Sequence, residues 1–116
     1  MAEKEAIRTE EAPAPFQGAP YSQAIRAGGL VFVSGQVALT PGATEPAGSD
    51  VGEQTEQVFA NLRAILEAAG SSLDDFPAMN DVYRRHAGDV PPARATVEVS
   101  ALPAGALVEI DAIALA

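Results

Sequence analysis

Residues 50–70 read DVGEQTEQVFANLRAILEAAG, and the fold class turns on how they are folded. Asp50 followed three residues later by Glu53 is a capping-box pattern, in which each side chain reaches the other residue's unpaired backbone N–H. Val58, Leu62, Ile65, Leu66 and Ala69 then recur at i, i+4, i+7, i+8 and i+11, which is one apolar stripe on a helix, and Gly70 is placed to end it. The spacing therefore predicts a helix with one buried face, which needs a sheet or a second helix to cover it.

The flanks supply both. Upstream, SQAIRA and LVFVSGQVAL (22–27 and 30–39) surround Gly28 and Gly29 and predict a hairpin, its second strand rich in Val and Phe as a buried strand is. TPGATEPAGS (40–49) carries two prolines and two glycines and predicts a surface loop. Residues 1–15 show no period and are expected to be a loosely held lead-in. Downstream, a second, shorter helix opens at Asp75, with Pro77 in its first turn and Phe76, Met79, Val82 and Tyr83 on its apolar side. ARATVEV (93–99) and ALVEIDAIA (106–114) then alternate with period two around a turn marked by Pro103 and Gly105. The expectation is an α+β chain forming one domain over 1–116.

Composition limits the functions available. Sixteen acidic residues against seven basic ones give a net charge of −9, and the only adjacent bases are Arg84 and Arg85, so a nucleic-acid partner is not expected. An anionic small ligand would meet an opposing global field and need a local cation to hold it. With no cysteine there is no thiol nucleophile, and the single His86 is expected to cap a helix end, so no metal site is expected. Residues 1–15 lack a signal-peptide pattern and no apolar run reaches about 18 residues, so a cytoplasmic chain without a membrane partner is the expectation.

The two C-terminal strands carry the candidate chemistry. In the first, Arg94, Thr96 and Glu98 point one way and Ala95, Val97 and Val99 face the core. In the second, Val108, Ile110, Ala112 and Ala114 form the core face and Leu107, Glu109, Asp111 and Ile113 the other. Periodicity leaves two readings of that mixed face: solvated carboxylates with Arg94 answering Glu98 or Glu109, or a half-buried pocket holding one cation and one carboxylate. Ser34 has no GxSxG context and reads as a polar or backbone contact; Tyr21 reads as structural.

Taken in order, GAPYSQAI, LVFVSGQV, DVGEQTEQVFANLRAILEAAG, DFPAMNDVY, PPARATVEV and LPAGALVEIDAIA resemble the YjgF family, and within it the RidA branch of reactive-intermediate deaminases. The resemblance runs from about Pro13 to the end. It implies a chorismate-mutase-like α+β fold, a mixed sheet packed against two helices, and a homotrimer with an inner β-barrel and pockets between subunits. It also implies hydrolysis of enamines and imines such as 2-aminoacrylate, products of pyridoxal-phosphate enzymes, to 2-keto acids and ammonia without cofactor or metal. In this family pattern Arg94 holds the substrate carboxylate and Glu109 handles the attacking water, while Tyr21, Ser34, Gly35, Asn80 and Thr96 fall on pocket positions. Some relatives have cysteine where Thr96 stands. The alternative is a binding or metabolite-sensing protein for small carboxylates, and the ribonuclease activity attributed to some relatives conflicts with the acidic charge.

One departure stands out. A β-strand with its turn, on the order of ten residues, separates the two helices in the family, and here SSLDD runs straight into FPAMNDVY. Loss of a central strand would leave two rows of backbone groups unpaired unless the neighbours closed up. Three readings stay open: residues missing from the sequence as written, a deletion that folds differently, and a rearranged trimer that tolerates the loss. The intact patterning elsewhere favours the first.

Overall fold

The computed structural model describes residues 3–71, 89–90, 93–95 and 97–115. Four strands form one sheet in sequence order: β1 (Lys4–Ile7), β2 (Ala24–Ala27), β3 (Leu30–Gln36) and β4 (Ile110–Leu115), each pairing antiparallel with the next. The one α-helix among the described residues, α1 (Val51–Ala68), lies across one face. No helix among the described residues is long and apolar enough to cross a membrane. The predicted second helix, with Asn80 and His86 on it, and Thr96 lie outside the described residues.

The hairpin forms because both connecting glycines, Gly28 (φ 58°) and Gly29 (φ 77°), adopt the left-handed backbone that a two-residue turn between twisted strands requires. The antiparallel register then pairs Ala24 with Val33 and Ala27 with Leu30. Side chains alternate across the sheet, so Ala24, Val31, Val33, Ala112 and Ala114 face the helix and are buried.

Against them α1 lays Val58, Phe59, Leu62, Ile65 and Leu66, all fully buried. The helix starts as its sequence indicates, with Asp50 Oδ1 accepting from Glu53 N at 2.8 Å. The reciprocal bond goes one residue further back than a simple capping box: Glu53 Oε2 accepts from Ser49 N at 2.9 Å. At the other end, Gly70 (φ 78°) lets Gly70 N reach Glu67 O and Ser71 N reach Leu66 O, which satisfies two of the last carbonyls. Asn61, fully buried, donates from Nδ2 to the Val37 and Leu39 carbonyls at 3.1 and 2.9 Å and accepts from Gln57 at Oδ1, so the chain leaving β3 is stitched to the helix.

Two expectations are corrected. The lead-in is not loose: residues 4–7 pair with β2, and buried Gln23 accepts from Thr9 N (2.8 Å) and donates to the Thr9, Ala12 and Pro13 carbonyls, fastening residues 9–13. A four-residue edge strand with three exposed positions carries no period to read. Residues 93–95 and 97–99, expected as a strand with Ala95, Val97 and Val99 in the core, join no sheet, and Val97 is 79% exposed. Alternation sorts side chains by face only once a neighbour supplies the backbone ladder, and among the described residues β4 has a partner on its β3 side alone.

The packing makes a direct stability statement. Leu62→Ala should lower unfolding free energy in urea by about 2–5 kcal/mol, and Asp50→Ala by about 0.5–2 kcal/mol through the lost cap. A Leu62→Ala midpoint equal to wild type would contradict the placement of α1 on the sheet.

Candidate active site

The β3–β4 pairing is interrupted by a bulge. Val33 pairs with Ala112 and Gln36 with Ile110, so Ser34 and Gly35 on β3 stand opposite Asp111 alone on β4. An extra residue of this kind bends the strand and re-aims what lies beside it. Buried Gln36 holds the bulge by donating from Nε2 to the Ser34 carbonyl at 3.0 Å, and Ser34 Oγ donates to the Ser22 carbonyl at 2.6 Å. Ser34 is thus committed to a backbone contact, as its sequence setting suggests.

Beside the bulge is an open cleft of roughly 870 Å³ lined by Ala95 and residues 97–102, by residues 106–109 and by Asp111. Its wall includes Gly35, Val97, Glu98, Leu107, Glu109 and Asp111. Glu109, just before β4, is exposed, and its carboxyl group lies against the bare Cα of Gly35: a Cβ there would meet Glu109 Cδ at 3.0 Å and Cγ at 3.2 Å, and Oε1 closer still. Arg94 is exposed and immediately precedes Ala95 of the cleft wall, though it is not itself part of that wall. The described wall therefore carries three carboxylates and no cation. A small anion entering it is repelled unless a guanidinium at the margin takes hold of it.

Tyr21 is elsewhere. It lines a separate cleft of roughly 580 Å³ with Arg8, Thr9 and Gln23, and its hydroxyl accepts from Phe16 N at 2.8 Å. Within one chain the fold brings Gly35 and Glu109 together with Ser34 adjoining, leaves Arg94 nearby, and sets Tyr21 apart.

Gln54 was not among the residues the sequence singled out. It is 4% exposed, donates from Nε2 to the Gly48 carbonyl (3.2 Å), and accepts at Oε1 from Leu107 N (2.9 Å), tying α1 to the stretch that leads into Glu109. The signal was present: Gln54 occupies the i position of the series completed by Val58 and Leu62, a polar residue on the buried face, which must find hydrogen-bond partners.

Comparison with known proteins fits this architecture. The family described as Endoribonuclease L-PSP matches residues 9–116. The chain belongs to that family, the Rid proteins. A RutC family protein of Pyrococcus horikoshii is 47% identical, with 96% of this chain and 97% of the relative aligned. A protein of Dermatophagoides farinae named 2-iminobutanoate/2-iminopropanoate deaminase is 36% identical, covering 97% of each. Among solved structures, a conserved Rid-family protein from Yersinia pestis superposes with a TM-score of 0.87 at 39% identity, covering 98% of this chain and all of the other. The α+β fold of the Rid proteins is therefore the fold of this chain. The Pyrococcus alignment spans 124 positions but only 96% of 116 residues, about 111, so about 13 of its positions have no residue here.

Proposed function

We propose that the protein hydrolyses small enamines and imines, 2-aminoacrylate and its 2-imino tautomer among them, to a 2-keto acid and ammonia. The observation that carries this is the exposed Glu109 carboxyl group seated over Gly35 in an open cleft, on a chain similar over 97% of its length to a relative named 2-iminobutanoate/2-iminopropanoate deaminase. Arg94 grips the substrate carboxylate: a guanidinium presents a fixed fork of donors that matches a carboxylate, and charge-assisted bonds of this type contribute about 1.5–3 kcal/mol each. It would supply the cation that the described wall, with its three carboxylates, lacks. Glu109 orients water toward the electrophilic C2 of the imine and passes one of its protons to nitrogen as the C–O bond forms, giving a carbinolamine; it then takes the carbinolamine hydroxyl proton and delivers it to nitrogen as the C–N bond breaks, so both hydrogens of the water leave in ammonia. Every atom comes from imine and water, so the chemistry needs no oxidant or cofactor.

A net charge of −9 supports a small acid captured by one arginine over an RNA substrate, whose phosphates would call for clustered bases. Self-association is part of the proposal. On the face of the sheet away from α1, the register aligns Ala6, Ile25, Phe32 and Ile113 in one row across all four strands, with Phe32 42% and Ile113 61% exposed. A row of that kind on an open sheet face is suited to burial against further copies of this chain, as a trimer.

With 2-aminoacrylate generated in place by a pyridoxal-phosphate dehydratase, wild-type protein should accelerate ammonia and keto-acid release. Arg94→Ala should abolish the acceleration, and Glu109→Gln should reduce kcat by about 100- to 10,000-fold. Undiminished turnover by Arg94→Ala would overturn the assignment, and saturable 2-ketobutyrate binding by a wild-type protein that leaves imine decay unchanged would replace it with a binding role. Light scattering should give three times the chain mass for wild type and the mass of one chain for Phe32→Glu; a monomeric wild type would refute the assembly.

A further inference from the structure

Gly35 is a glycine for a reason other than backbone conformation. Seven glycines among the described residues have positive φ, and Gly35 is not one of them, so an L-residue could adopt its backbone. What it could not do is leave room for Glu109. The Cβ of an alanine would occupy the space now held by the Glu109 carboxyl group, touching Cγ, Cδ and Oε1 in turn. The bulge at Ser34 and Gly35 is what presents this bare backbone beneath Glu109, and Gln36 keeps the bulge in shape through the Ser34 carbonyl.

The backbone that leads to the same carboxylate is held as well. Glu109 precedes β4 and so lacks the ladder that fixes residues 110–115. Two residues before it, Leu107 N donates to Gln54 Oε1, and the Gln54 amide is anchored in turn on the Gly48 carbonyl. Gln54 is almost completely buried, on the first turn and a half of α1, where a side chain is immobilised by the packing around it. Both polar ends of its amide are satisfied by backbone from two different segments, which makes it a strut between the helix, residues 40–49 and the approach to Glu109.

We infer that Gly35 and Gln54 are positioning residues for the Glu109 carboxyl group, Gly35 as the seat without which the carboxylate is displaced and Gln54 as the tether that holds its backbone over that seat. Neither is asked to touch substrate in this role. The inference rests on the reading of Glu109 as the group that directs water. Misplacing such a group by about an ångström costs up to about a hundredfold in rate even where binding is untouched.

The experiment is a set of double-mutant cycles on imine hydrolysis, using full-length wild type, Gly35→Ala, Gln54→Met, Glu109→Gln and the two doubles that join each positioning variant to Glu109→Gln. Gly35→Ala displaces only the far end of an exposed side chain, and Gln54→Met keeps the volume of the strut while removing both hydrogen bonds. Each single variant should lose about ten- to a hundredfold in kcat, and Gln54→Met, at a position that does not line the cleft, should keep KM within about twofold of wild type. In the Glu109→Gln background neither should cost anything further, because a residue that acts through Glu109 has nothing left to position. Losses that multiply in the doubles, or a Gln54→Met loss that falls on KM instead of kcat, overturn the inference while leaving the deaminase reading intact. Should Gly35→Ala fail to fold, the Gln54→Met cycle decides on the same criteria. If Glu109→Gln itself turns over at the wild-type rate, the reading of Glu109 fails and the positioning role falls with it.

Discussion

The contact on which everything else rests is the apolar stripe of α1 pressed against Val31 and Val33 of β3. It buries five large helix residues at once and fixes β3, the strand that pairs with both β2 and β4. From β3 the order passes outward: the bulge at Ser34 and Gly35 is a departure from the ladder that only a well-held strand tolerates, and Glu109 lies on that bulge. α1 reaches the same point a second time through Gln54 and Leu107 N. Core and cleft are therefore one mechanical unit.

The described wall of the cleft is acidic and open, a setting ill suited to an anion unless a cation is brought into play, and in the proposed function that cation is Arg94. That opposition is consistent with the proposed chemistry. A 2-imino acid has a carboxylate to be gripped and, bonded directly to it, an electrophilic carbon to be hydrated, so a cation and a carboxylate group converging on one ligand would meet both needs. Imines of this kind also hydrolyse unaided, which keeps the rate enhancement required within the reach of acid–base help and positioning alone.

Much of this was legible before any coordinates. The cap at Asp50, the stripe from Val58 to Ala69 and the stop at Gly70 are local signals, and they gave α1 almost to the residue. Two adjacent glycines announced the hairpin, and period two correctly divided Val108, Ala112 and Ala114 from Glu109, Asp111 and Ile113. β1 was not legible, because its pairing depends on a partner twenty residues away and on the Gln23 amide. The alternation in 93–99 was misleading for the converse reason: it describes what a strand there would look like without supplying a neighbour. Arg94, Glu109 and Gly35 stand out through family resemblance more than through spacing, whereas Gln54 is visible in the sequence as a polar interruption of a buried face.

The measurement closest to the central claim is a crystal structure of the assembled protein with 2-ketobutyrate bound. The ligand carboxylate should lie on the Arg94 guanidinium at about 2.7–2.9 Å, with its keto carbon beside the Glu109 carboxyl group above Gly35. A ligand held in this protein away from both side chains, or Arg94 and Glu109 separated by bulk solvent in the assembly, would contradict the account.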